Sequence, residues 1–172
     1  MRGRAPELPR YVVIAAPHTS NWDLPMMLLF GLAFEVRACF LMKAAWFRGP
    51  LGPLFRAIGG IAVHRDARHS LVSQAAAQLR ASERMVLAVP PEGTRAYRPH
   101  WRSGFYWIAH EAGVPIVPTF LDYGARQAGI GEPLMPTGDI QGDVRILSEL
   151  YEGTRGKHPE QQGPVRVADG EA

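Results

Sequence analysis

The chain has 172 residues, close to half of them hydrophobic, and a formal net charge of +3. That length is enough for one domain with a sizeable core, and the composition excludes a disordered chain. Its single cysteine, Cys39, excludes an internal disulfide framework and a cysteine-based metal cage, and no basic-aromatic run of the kind that tracks nucleic acid is present.

In chain order, RYVVIAAP (10–17) is predicted as a buried strand: short, β-branched and closed by Pro17. A helix follows, and Pro25, which lacks an N–H, belongs in its first turn, so it starts near Trp22 or Asp23. The apolar stretch 24–34 is about half the length of a bilayer-spanning helix and ends at Glu35. The N-terminal MRGRAPELPR is basic but has no apolar signal core. VRACFLM (36–42) and IAVHR (61–65) read as strands, separated by a glycine- and proline-broken loop (47–60) with room for one short helix.

From 68 to 84 the period changes. Leu71, Val72, Ala75, Ala76 and Leu79 line one helical face, with Asp66 as a candidate cap. RMVLAVP (84–90) is a strand stopped by Pro90-Pro91, and 101–114 is a helix with Gly113 near its end. PIVPTFLDY (115–123) is a strand whose two prolines suit an edge position. Ile140, Val144, Leu147 and Tyr151 repeat at helical spacing after Asp139. Alternating strands and helices imply an α/β single domain with a central, mainly parallel or mixed sheet flanked by helices. The domain is expected over 1–156, and 157–172, with little to bury, is expected to be a loose C-terminal tail.

Four stretches lie at strand ends, where α/β domains build their sites. In HTSNWD (18–23), His18 and Asp23 are five residues apart, too far round a helix to meet. They touch only if His18 lies in the turn before the helix and folds back. An Asp–His contact would fix the imidazole tautomer and raise its basicity, as a general base requires. Alternatively Ser20, Asn21 or Asp23 caps the helix and His18 is a surface turn residue. GGIAVHR (59–65) ends a strand at Arg65. In PPEGTRAY (90–97), Gly93 allows close backbone approach and Arg95 offers a fork for an anion. The fourth stretch is PIVP (115–118).

In this order the four stretches resemble the motifs of the glycerolipid acyltransferases, the family that acylates lysophosphatidic acid, in its short bacterial form. The matching elements are His-four residues-Asp (18–23), a Gly-rich strand ending in Arg65, Glu-Gly-Thr-Arg (92–95) and Pro-Ile-Val-Pro (115–118). The chain departs from the family pattern at His64, where an acidic residue is usual, and at Pro90-Pro91, where Phe-Pro is usual.

The resemblance implies that His18, oriented by Asp23, takes the proton of a substrate hydroxyl that attacks a thioester. It places Arg65, Glu92, Gly93, Thr94 and Arg95 at the acceptor's phosphate, with Lys43 adding charge. It implies acyl-coenzyme A or acyl carrier protein as co-substrate and a lysophospholipid acceptor, most directly 1-acylglycerol-3-phosphate. Transfer to another lipid or small-molecule hydroxyl, hydrolysis by water, and non-catalytic lipid binding are the competing readings. No cofactor, metal or nucleic-acid partner is expected. Many relatives carry an N-terminal helical membrane anchor, whereas here only about ten residues precede the first strand. Membrane docking would therefore use the domain's own surface, or the substrate is more soluble than a typical lysolipid; a cytoplasmic protein, peripheral at the inner membrane face, is expected. Met26, Met27, Phe30 and Phe34 are candidates for the path of the acyl chain.

Overall fold

A computed structural model describes residues 2–63 and 68–168, with only the backbone of 68–70. His64, Arg65 and Asp66 lie outside the described residues. The first strand, β1 (Arg10–Ala16), runs through the middle of the sheet with all but Arg10 buried, which is why it reads as one uninterrupted apolar run. It pairs in parallel with β4 (Met85–Val89) on one side and β5 (Ile116–Asp122) on the other. Beyond β4 lie β2 (Ala38–Lys43) and β3 (Gly60–Val63), and β6 (Gln127–Ile130) closes the far edge antiparallel to β5. The sheet is therefore mixed, in the order β3-β2-β4-β1-β5-β6.

Right-handed crossovers divide the helices between the two faces. Helix α1 (Asp23–Ala33) joins β1 to β2, and a 3₁₀ turn (Ala44–Arg48) with α2 (Gly52–Ala57) joins β2 to β3. Both connections run the same way along the sheet, so they share a face. The connections through α3 (Arg68–Ala81) and α4 (Gly104–Ala112) run back the other way and cover the opposite face. There Val12, Ile14, Leu87 and Ile116 pack on Leu79, Phe105 and Tyr106, joined by Val144 and Leu147 of α5 (Ile140–Tyr151). On the other face Tyr11, Val13, Ala88 and Val117 meet chiefly Met27, Phe30 and Phe34 from α1 and its end. One side of the sheet thus carries a thick core, and the other a single thin layer.

The structure corrects three expectations. The proline-bearing strand is internal, between β1 and β6. Pro118 pairs beside Ile14, and its carbonyl accepts from Gly131 N–H at 2.8 Å, so only the reciprocal bond at the end of the β6 ladder is missing. Strand β6 itself was not expected, because Gln-Ala-Gly-Ile contains one strong strand former. Finally, the described part of the supposed tail is packed. Trp101 N–H donates to Arg166 carbonyl at 2.7 Å, and Val167 is buried against the core. The segment lacks any apolar period because main-chain bonds and single side chains, not a repeating face, hold it.

Candidate active site

The site forms where the chain leaves β1. After Ala16 the turn 17–22 carries His18, and α1 begins at Asp23. Asp23 is almost fully buried, and each of its oxygens is occupied. One oxygen, Oδ2, lies 3.2 Å from His18 Nδ1 and accepts Ser20 N–H at 2.9 Å. The other, Oδ1, accepts the Tyr123 hydroxyl at 2.8 Å. The bond from Ser20 folds the turn back, which lets two residues five apart in sequence meet. The residue preceding α1, Trp22, makes no side-chain cap bond, and Asp23 spends its carboxylate on the turn and the imidazole. Of the two readings of this stretch, the Asp–His contact is the one the structure contains.

Burial alone would raise the Asp23 carboxyl, but the bonds from His18, Ser20 and Tyr123 outweigh it and hold the group below its ordinary value. An ionised Asp23 fixes the proton on His18 Nδ1, leaving Nε2 as the basic nitrogen. The imidazole is part-exposed while its partner is buried, 22% against 2% of side-chain surface, so the ring is open to solvent and the carboxylate is not.

Glu92, expected at the acceptor's phosphate, lies against the main chain of His18. It is buried, and its Oε1 accepts the main-chain N–H of His18 at 3.0 Å. Among the described residues its Oε2 has no hydrogen-bond partner. Burial drives its pKa up, only partly offset by the bonds from its own N–H and that of His18. Glu92 therefore pins the backbone of His18 from the neighbouring strand end. Gly93 follows at φ +65°, a left-handed conformation in which an added Cβ would also crowd the Arg102 side chain. Thr94 Oγ1 accepts Ala96 N–H at 3.3 Å and so shapes the turn. Arg95 donates to Asn21 Oδ1, which ties its guanidinium to the turn bearing His18. Lys43 is exposed at the end of β2, two strands from β1.

A narrow cleft opens beside the pair, between α1 and the thin-layer face of the sheet. His18, Asp23 and Thr119 supply its polar lining; the rest is apolar, including Met27, Phe30, Val36 and Phe120. Of the four side chains expected along an acyl path, Met27 and Phe30 line this cleft. Met26 is exposed instead, and Phe34 packs against the Phe30 ring with centroids 4.4 Å apart. Among the described residues no group of three His, Cys, Asp or Glu side chains is placed to hold a metal.

Two parts of the site had no signal in the sequence. One is Tyr123, a hundred residues from the carboxylate it holds. The other is the segment after α5, which buttresses the histidine turn. His158 N–H donates to buried Thr19 Oγ1 at 3.1 Å, and the Lys157 ammonium lies 4.9 Å from the centre of the Trp22 ring.

The acyltransferase family model matches residues 4–122. That is well over half of the chain and includes His18, Asp23 and the turn 92–95, so the chain belongs to the acyltransferase family. The curated proteins and the solved structures gave no match.

Tyr123 lies just beyond the matched span, and its bond to Asp23 leads to a specific expectation. Tyr123→Phe removes one of the bonds that lower the Asp23 carboxyl, so that carboxyl moves upward. The rate of acyl transfer at neutral pH falls roughly 3- to 10-fold, the size expected for the loss of one ordinary hydrogen bond of about 0.5–1.5 kcal/mol. The acid limb of the pH–rate profile shifts to higher pH. A profile identical to wild type would exclude a role for Tyr123 in holding Asp23.

Proposed function

We propose that this acyltransferase moves a fatty acyl group from acyl-coenzyme A or acyl carrier protein to the free hydroxyl of a lysophospholipid, most directly 1-acylglycerol-3-phosphate. The observation that carries the reading is the His18–Asp23 pair at the mouth of an apolar cleft. His18 Nε2 takes the acceptor's hydroxyl proton as its oxygen attacks the thioester carbonyl. The tetrahedral intermediate collapses with cleavage of the C–S bond, and the imidazolium returns the proton to the departing thiolate. Asp23 stabilises the imidazolium between the two steps. A main-chain N–H of the turn serves the developing oxyanion. Arg95 and Arg65 hold the acceptor's phosphate, with Lys43 adding positive charge and Gly93 and Thr94 shaping the turn. Glu92 holds the main chain of the base. The protein acts on the cytoplasmic side, peripheral at the inner face of the membrane.

The test is thiol release from palmitoyl-coenzyme A with and without lysophosphatidic acid. Release that depends on the acceptor, at least about tenfold slower with a phosphate-free monoacylglycerol, is expected. Equal release without any acceptor would make the protein a thioesterase. Equal rates with both acceptors would remove the phosphate site.

A further inference from the structure

Helix α1 is apolar on both of its sides. Met27 and Phe30 face the cleft, while Leu24, Leu28, Leu29 and Leu32 are exposed, Leu29 to 59% and Leu32 to 78%. A surface helix ordinarily turns polar residues outward, and one that is apolar all round is covered by something. Further large apolar side chains are exposed on the segments flanking α1. Trp22 is exposed just before it, and on the same face of the sheet Trp46 of the 3₁₀ turn, Leu51 just before α2 and Leu54 of α2 are exposed. Exposed apolar surface of this extent marks an interaction site.

The charges around it indicate the partner. Between residues 24 and 60 the chain has four basic residues, Arg37, Lys43, Arg48 and Arg56, and one acidic residue, Glu35. All five are exposed. Leucines and tryptophans interleaved with cations make the composition of an element that lies in the headgroup layer of a bilayer. A second copy of the chain would set the same cations against each other, which opposes pairing. We propose that the face formed by α1, the 3₁₀ turn and α2 docks on an anionic lipid bilayer, with the outward leucines of α1 at the depth of the acyl chains' upper ends. Because α1 also walls the cleft, docking brings the cleft and His18 to within one helix diameter of the lipid. The inference depends on the lysophospholipid reading for its purpose but not for its test.

The test is flotation with vesicles of phosphatidylcholine alone or with about a quarter phosphatidylglycerol. The wild-type protein floats with the mixed vesicles and about tenfold less with the neutral ones. A Leu29→Glu/Leu32→Glu double variant, altered only at exposed positions outside the cleft, binds the mixed vesicles at least about tenfold less. It keeps the wild-type melting temperature and the wild-type rate on a water-soluble short-chain acceptor. Wild-type protein that stays unbound with both vesicles would overturn the proposal. So would a lipid-free dimer abolished by the same double variant, which would assign the face to a second copy. Equal binding to both vesicles would overturn the preference for anionic lipid. Flotation requires no turnover, so a protein that floats without transferring acyl groups would fail only the proposed activity. One that transfers acyl groups without floating would fail only the docking.

Discussion

His18→Ala lowers acceptor-dependent thiol release by about 10²–10⁴-fold, the contribution of a positioned general base. That is about 3–5 kcal/mol of barrier. The loss falls on kcat, because in the proposed mechanism the imidazole acts on the hydroxyl only as the carbon–oxygen bond forms, and the apolar side chains of the cleft are unchanged. The fold survives the substitution. His18 is part-exposed, and without it Asp23 still accepts from Ser20 and Tyr123. Steady-state rates over a range of donor concentrations, with a thermal melt as control, make the measurement. A folded variant within about tenfold of wild type would mean that another group takes the proton.

Asp23→Asn gives the second large effect, a rate loss of about a hundredfold or more, accompanied by a loss of stability. In the native protein the two carboxylate oxygens receive His18, the Ser20 N–H and the Tyr123 hydroxyl. An amide offers one acceptor oxygen to these donors and turns an NH₂ toward the rest. The imidazole then loses both its orientation and the negative charge that stabilises its protonated form. Leaving a buried donor unsatisfied costs about 1–3 kcal/mol.

The stability effect depends on pH in a definite direction. The Asp23 carboxyl is held below its unfolded value, so its contribution is complete above about pH 4 and is lost as the pH falls through the lower folded value. The melting temperatures of wild type and Asp23→Asn therefore differ most near neutrality and converge in acid. A constant gap down to pH about 2 would show that the carboxylate's charge plays no part. In combination, His18→Ala/Asp23→Asn is no slower than His18→Ala alone, since Asp23 acts through the imidazole.

Elements whose burial is periodic, and the part of the site that is local, are legible in the order of the amino acids. The uninterrupted apolar run of β1 and the helical repeat of Ile140, Val144, Leu147 and Tyr151 follow from one side chain after another facing the same core. His18 and Asp23 fall in one turn, so a proline constraint and a five-residue spacing were enough to bring them together as a hypothesis. The turn 92–95 was marked by its glycine, yet its glutamate's bond to the histidine main chain spans 74 residues and had no local trace.

Which distant groups close on that turn, and which surfaces stay uncovered, depends on how the elements pack. Tyr123 reaches Asp23 because β5 pairs beside β1, and the segment 154–162 reaches Thr19 because α5 ends there. These contacts are made by single polar atoms and main-chain groups, which impose no period on the sequence. Pro118 sits inside the sheet because the one bond it forfeits lies at the end of a ladder, a position that pairing alone sets. The stretch 24–34 is uniformly apolar as written, and only the packing of α1 over the thin side of the sheet separates the side chains facing the cleft from the leucines facing outward. Hydrophobicity is carried by each residue alone, but exposure is a property of what the rest of the chain covers.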